Sequence, residues 1–166
     1  MKLDATRRPL WAEIHLGHIQ DNVRALVTAC GNRKLMAVVK ANAYGHGAAP
    51  VAKACLDAGA SWLGVATPEE GVELRQAGIE APILVFGALF PGQERLFVEY
   101  TLAATVATPE AVEAACRAAA QGHQLQAHLK IDTGMARLGF SPSKAVSAGR
   151  QLQESGVLVE GLYTHL

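Results

Sequence analysis

The chain is 166 residues long and half apolar, with 18% charged residues divided equally between 15 basic and 15 acidic side chains. That length suffices to bury the core of one domain, and the even balance carries neither the basic footprint of a nucleic-acid binder nor that of a protein drawn to an anionic membrane. No apolar run approaches the roughly 20 residues that cross a bilayer.

The charged opening Met1-Lys2-Leu3-Asp4-Ala5-Thr6-Arg7-Arg8 is followed by no apolar stretch, so no secretory signal is expected. Strands are expected at Leu10–Ile14, Leu35–Val39, Trp62–Val65, Ile83–Phe86, Leu102–Val106, Leu125–Ile131 and Val157–Tyr163. Several are continuous apolar runs, as in a parallel sheet covered on both faces. Helices begin between them at recognisable signals. Thr67-Pro68-Glu69-Glu70 reads as a capping box with proline in the first turn, and Thr108-Pro109-Glu110 and Ser141-Pro142 repeat the start without the full box. Gly59, Gly78, Gly122 and Gly156 follow the helical runs, where a left-handed residue ends a helix at low cost.

This succession of strand, capped helix and glycine marks repeated βα units. It is compatible with an open doubly wound sheet and with a closed barrel. No linker or low-complexity tract divides the chain. A closed (β/α)8 barrel usually needs about 250 residues, so residues 1–166 read as a truncated barrel domain, and a complete small α/β domain is the alternative. Cys30, Cys55 and Cys116 are odd in number, lack a Cys-x-x-Cys spacing and sit in Ala- and Val-rich helical contexts. They read as reduced packing residues, which makes the cytoplasm the expected location.

Three segments carry chemistry. In Met36-Ala37-Val38-Val39-Lys40-Ala41-Asn42-Ala43-Tyr44-Gly45-His46-Gly47 an apolar strand delivers Lys40 at its C-terminal end, where α/β proteins build their sites. Burial there would favour the free amine that Schiff-base chemistry needs. The amides of Gly45 and Gly47 could face a phosphate. In Lys130-Ile131-Asp132-Thr133-Gly134-Met135-Ala136-Arg137-Leu138-Gly139 a second strand ends in a lysine, and Arg137 offers a planar fork for a carboxylate or phenolate oxygen. An Asp132–Arg137 loop ion pair with Lys130 solvated is the structural alternative. In Gly161-Leu162-Tyr163-Thr164-His165, the histidine is a base, a ring against a planar ligand, or simply a polar strand end.

Together these three segments, in this order and spacing, resemble the signatures of alanine racemases, and Arg8-Pro9-Leu10-Trp11-Ala12-Glu13-Ile14 is similar to the family's N-terminus. The resemblance spans essentially the whole chain. It implies a (β/α)8 barrel of the TIM type, incomplete here, followed in full-length members by a C-terminal β domain that this chain lacks. It allows the strand around Trp11 to belong to that second domain's sheet. It also implies pyridoxal 5'-phosphate bound to Lys40 as an imine, with Tyr44 on the phosphate and Arg137 on the phenolic oxygen and the substrate carboxylate. Lys130 is then a candidate for carbamylation, and His165 lies against the cofactor. The implied reaction interconverts L- and D-alanine by α-proton transfer between two bases, Lys40 and an opposite-face tyrosine outside this sequence, in a cytoplasmic homodimer. No metal is implied. The isolated chain is expected to be inactive or nearly so. A serine or broader racemase, a barrel decarboxylase, a non-catalytic pyridoxal-phosphate-binding module and a plain α/β interaction domain are the rival readings.

Overall fold

Every apolar run from Leu35 onward becomes a strand. In the structure, a computed structural model that describes residues 11–166, the elements are α1 (Leu16–Cys30), β1 (Met36–Val38), α2 (Lys40–Tyr44), α3 (Ala48–Asp57), β2 (Trp62–Val65), α4 (Pro68–Gln76), β3 (Ile83–Ala88), α5 (Glu94–Glu99), β4 (Ala103–Val106), α6 (Pro109–Ala120), β5 (Gln126–Lys130), α7 (Pro142–Glu154) and β6 (Leu158–Tyr163). The strand expected over Leu10–Ile14 is corrected where it is described: residues 11–14 have no regular structure, and Trp11 is exposed. A run of β-formers without a neighbouring ladder has nothing to pair its backbone with. Arg8, Pro9 and Leu10 lie outside the described residues.

Helix boundaries follow local chemistry. Thr67 accepts from the Glu70 amide while the Glu70 carboxylate accepts from the Thr67 amide, the reciprocal pair of a capping box. Thr108 accepts from the Ala111 amide, whereas Ser141 makes no such bond. Gly59, Gly78, Gly122 and Gly156 all have positive φ just past α3, α4, α6 and α7.

The six strands are parallel and lie in chain order, β1-β2-β3-β4-β5-β6. A doubly wound sheet reverses its order at a switch point; none occurs here, so crossovers of one hand keep the helices on one face. The opposite face is concave. Trp62 of β2 meets His128 of β5 with ring centroids 5.3 Å apart, and Phe86 of β3 reaches Tyr163 of β6 at 6.1 Å. In each pair two intervening strands separate the partners, a distance that a flat sheet with strands about 4.8 Å apart would not allow. The sheet is therefore an incomplete (β/α)8-type barrel.

The main core lies between the strands and the outer helices, with Leu63, Leu74, Ile83, Phe97 and Leu152 almost wholly buried. Each such side chain contributes about 1.5–3 kcal/mol of burial. Small residues on α6, Ala111, Ala114, Ala115 and Ala118, bring that helix close to the sheet. Among the described residues no helix is long and apolar enough to cross a membrane. The three cysteines are unpaired, on α1, α3 and α6.

Candidate active site

β1 is anchored beyond its last residue by the Val39 amide, which donates to the Gly64 carbonyl at 2.8 Å. The chain then turns sharply. Ala41, Asn42, Ala43 and Tyr44 all have φ between 51° and 56°, so α2 is for the most part a left-handed turn. Each L-residue held in that form costs roughly 1–2 kcal/mol, and the turn contains no glycine, so its surroundings must hold it. The Ala43 amide donates to the Val39 carbonyl at 2.8 Å, and the Asn42 side-chain oxygen accepts from the Ala48 amide at 2.7 Å. The Glu70 carboxylate accepts from the Ala41 amide at 2.7 Å. His46 Nδ1 faces only the carbonyls of Ala43 and Tyr44, so this nitrogen carries the hydrogen.

These bonds correct one expectation. The Gly45 amide donates to the carbonyls of Ala41 and Asn42, and the Gly47 amide donates to that of Asn42. Closing the left-handed turn consumes both groups, which leaves neither amide open to a phosphate. Tyr44, by contrast, is exposed on the cavity wall.

The second segment is an anchored loop at the end of β5. The Asp132 amide donates to the Phe140 carbonyl at 2.8 Å and the Phe140 amide to the Lys130 carbonyl at 2.9 Å, pinning the loop at its base. Gly139 makes that approach feasible: its φ is +136°, and a β-carbon there would stand 2.7 Å from the Asp132 nitrogen. The Asp132 carboxylate accepts from the amides of Gly134 and Ala136, and these bonds hold its pKa below the usual range. Among the described residues no carboxylate oxygen lies within 4.0 Å of Arg137, so the alternative Asp132–Arg137 ion pair does not form. Arg137 faces the cavity instead.

Lys130 is not solvated either, being only 5% exposed. Burial pushes its pKa down, the Arg137 guanidinium acts in the same direction, and Asp132 opposes. Its Nζ lies 5.4 Å from the centroid of the Tyr163 ring. The Tyr163 hydroxyl meets Thr105 Oγ1 at 2.8 Å; because the Thr105 hydroxyl donates to the Val85 carbonyl at 2.6 Å, Tyr163 is the donor. Burial raises the Tyr163 pKa, against smaller opposing effects from Thr105 and Arg137. Thr133 and Thr164 are joined through their hydroxyls at 2.6 Å, which ties the Arg137 loop to the residue before His165.

Lys40, Tyr44, Lys130, Arg137 and His165 thus line one cavity of about 670 Å³ at the C-terminal ends of the strands. Lys40 is half-buried, Lys130 is buried, and Arg137 and His165 are exposed along the open side. Tyr163, quoted in the sequence reading without a role, is a further wall residue. Its two-residue spacing from His165 was the available signal, because alternate residues of an extended segment share a face. Among the described residues no carboxylate lines the cavity, and its basic side chains are Lys40, Lys130, Arg137 and His165.

Fold and site together define the class: a β/α-barrel domain whose candidate site lies at the C-terminal rim of its strands. Residues 14–166 match the family described as alanine racemase, N-terminal domain. The alanine racemase of Symbiobacterium thermophilum is 48% identical over 168 residues, an alignment covering all of this chain and 44% of that protein. The crystal structure of alanine racemase from E. faecalis superposes with a TM-score of 0.86 at 39% identity, over 92% of this chain and 43% of that one. The alanine racemase of Bacillus anthracis, solved with bound L-Ala-P, gives 0.83 at 37% identity, over 91% and 40%. The chain belongs to the alanine racemase N-terminal domain family. It spans less than half the length of these relatives.

Proposed function

We propose that this chain is the pyridoxal 5'-phosphate-binding barrel region of an alanine racemase. The observation that carries the proposal is the cavity's lining: Lys40, Lys130, Arg137 and His165 with no carboxylate among the described residues, and a half-buried lysine at the tip of β1. That donor set fits an aldehyde-bearing phosphate ester. Lys40 supplies the amine for covalent attachment, Tyr44 a phenol for the phosphate, and Arg137 a fork for phenolate and carboxylate oxygens. When bound, pyridoxal 5'-phosphate supplies an electron sink that makes the α-proton of an amino acid acidic enough to remove.

The chain's own residues then bind, orient and move a proton. Arg137 fixes the substrate carboxylate and so sets which face of the α-carbon Lys40 meets. The free Lys40 amine takes the proton from the D-enantiomer, or returns it, on one face. His165 would line the cofactor's site and Lys130 would position Arg137. A neutral Lys130 amine, favoured by burial, is the form that adds carbon dioxide; the addition would release a proton to solvent and leave a carbamate anion that attracts Arg137. The proton on the opposite face is handled by a tyrosine outside these 166 residues. The parent protein interconverts L- and D-alanine as a cytoplasmic homodimer, and the isolated chain racemises at no useful rate.

The test adds pyridoxal 5'-phosphate to the purified chain and then D- or L-alanine in deuterated water. The proposal expects a new absorption band, lost in Lys40→Ala, without appreciable racemisation. No band with the native chain would exclude a cofactor-binding role, and racemisation by the chain alone would refute its dependence on a second base elsewhere.

A further inference from the structure

Glu70 does more than cap its own helix. One carboxylate oxygen, Oε2, accepts from the amides of Ala66 and Thr67 at 2.6 and 3.3 Å, and this completes the start of α4. The other, Oε1, reaches across to the Ala41 amide at 2.7 Å, 29 residues away in the chain. Ala41 is the first of the four left-handed residues, and it adjoins Lys40 directly. One half-buried carboxylate therefore joins the end of β2, the start of α4 and the entry to the strained turn.

The remaining bonds of that turn are made within 39–48: the Ala43 amide to the Val39 carbonyl spans the entry, and those of Ala48 to Asn42, Gly47 to Asn42, and His46 to Ala43 secure the exit. Within the entry, Glu70 is the charged partner, and hydrogen bonds to an ionised acceptor are about twice as strong as neutral ones. We infer that Glu70 is a positioning residue, a clamp that holds the left-handed turn at Ala41 and thereby aims Lys40 and Tyr44 into the cavity. Glu70 is not among the residues that line the cavity. The inference rests on the proposed role of Lys40 for its functional consequence, though not for the clamp itself.

The two functions of Glu70 are separable by mutation. Thr67→Ala removes the other half of the capping box while leaving the Glu70–Ala41 bond in place; Glu70→Ala removes both. Native-state amide exchange, referenced to each variant's global stability from urea unfolding, is expected to show Ala41 exchanging about ten- to a hundredfold faster in Glu70→Ala than in Thr67→Ala, as loss of one charge-assisted bond implies. The rate of borohydride-trapped labelling of Lys40 by pyridoxal 5'-phosphate should fall in Glu70→Ala and stay at the native value in Thr67→Ala.

Equal Ala41 exchange and equal Lys40 labelling in the two variants overturn the clamp, leaving Glu70 a helix cap alone. If the native chain takes no label at Lys40 while the exchange contrast is present, the clamp stands and the cofactor reading fails. Should Glu70→Ala not fold, Glu70→Asp carries the comparison, since a carboxylate one methylene shorter stays at the start of α4 and no longer spans from Ala66 to Ala41. Labelling of Lys40 as fast in Glu70→Asp as in Thr67→Ala, with Ala41 exchanging faster, then overturns the inference.

Discussion

Replacing Gly139 with alanine strikes the base of the Arg137 loop, and its cost can be worked against a control in the same loop. Gly134 and Gly139 have similar backbone angles, φ +147° and +136°, which L-residues rarely adopt. An alanine at either position pays about 1–3 kcal/mol of backbone strain. The surroundings differ. Nothing lies within 4 Å of a β-carbon at position 134, whereas at 139 it would meet the Asp132 nitrogen at 2.7 Å, the Ile131 carbonyl carbon at 2.9 Å and the Lys130 oxygen at 3.2 Å. These are backbone atoms at the end of β5 and cannot swing aside. The loop base must open, breaking the two bonds between Phe140 and residues 130 and 132, worth about 0.5–1.5 kcal/mol each. Gly139→Ala should therefore be less stable than Gly134→Ala by roughly 1–3 kcal/mol. With a urea slope of about 2 kcal/mol/M, the unfolding midpoints differ by about 0.5–1.5 M. Equilibrium urea unfolding followed by circular dichroism measures this. Coincident midpoints would refute the claim that a tight backbone approach holds the loop.

Three further outcomes are expected. Lys130 has its pKa lowered from 10.5 by burial, so the unfolded chain binds its proton more readily and native stability rises with pH as the lysine discharges below that value. Lys130→Met should remove that alkaline rise in urea unfolding performed in carbon-dioxide-free buffer. His128 titrates below its ordinary 6.5 because burial disfavours its cation, while Glu160, 3.7 Å from Nε2, pulls the other way. Its contribution is thus lost as acidification passes from 6.5 down through the folded value, and Glu160→Gln should move the imidazole midpoint lower still when followed by NMR. Thr105→Val leaves the wholly buried Val85 carbonyl and the Tyr163 hydroxyl without their partner, and thermal unfolding should register a loss of about 1–3 kcal/mol.

Much of the architecture could be read from local patterns, because its determinants are local. The apolar runs at Trp62–Val65 and Ile83–Phe86 become buried strands, and Thr67, Thr108 and the four glycines past the helices act where their chemistry places them. Periodicity alone did not choose between barrel and open sheet, because strand order is a tertiary property; the family resemblance implied the barrel, and contacts such as Trp62 with His128 bear it out. Leu10–Ile14 misled because β-propensity describes a side chain that suits a sheet, not the presence of one. At the site, rim placement of Lys40, Lys130 and Arg137 followed from their strand ends. The left-handed turn did not, since Ala41-Asn42-Ala43-Tyr44 lacks the glycine that usually announces positive φ. For the same reason the sequence left the Gly45 and Gly47 amides free to face a phosphate, whereas the turn uses both. Glu70 was legible as a cap, but its second bond to Ala41 depends on how α4 sits against the end of β1.

The account depends most on which amine takes the aldehyde. Two lysines line the cavity, Lys40 half-buried at the entrance and Lys130 buried behind Arg137. Incubating the chain with pyridoxal 5'-phosphate, reducing with borohydride and locating the fixed mass by peptide mapping distinguishes them directly. A single stoichiometric adduct on Lys40 is predicted; an adduct on Lys130, or label scattered over surface lysines such as Lys53 and Lys144, would contradict it.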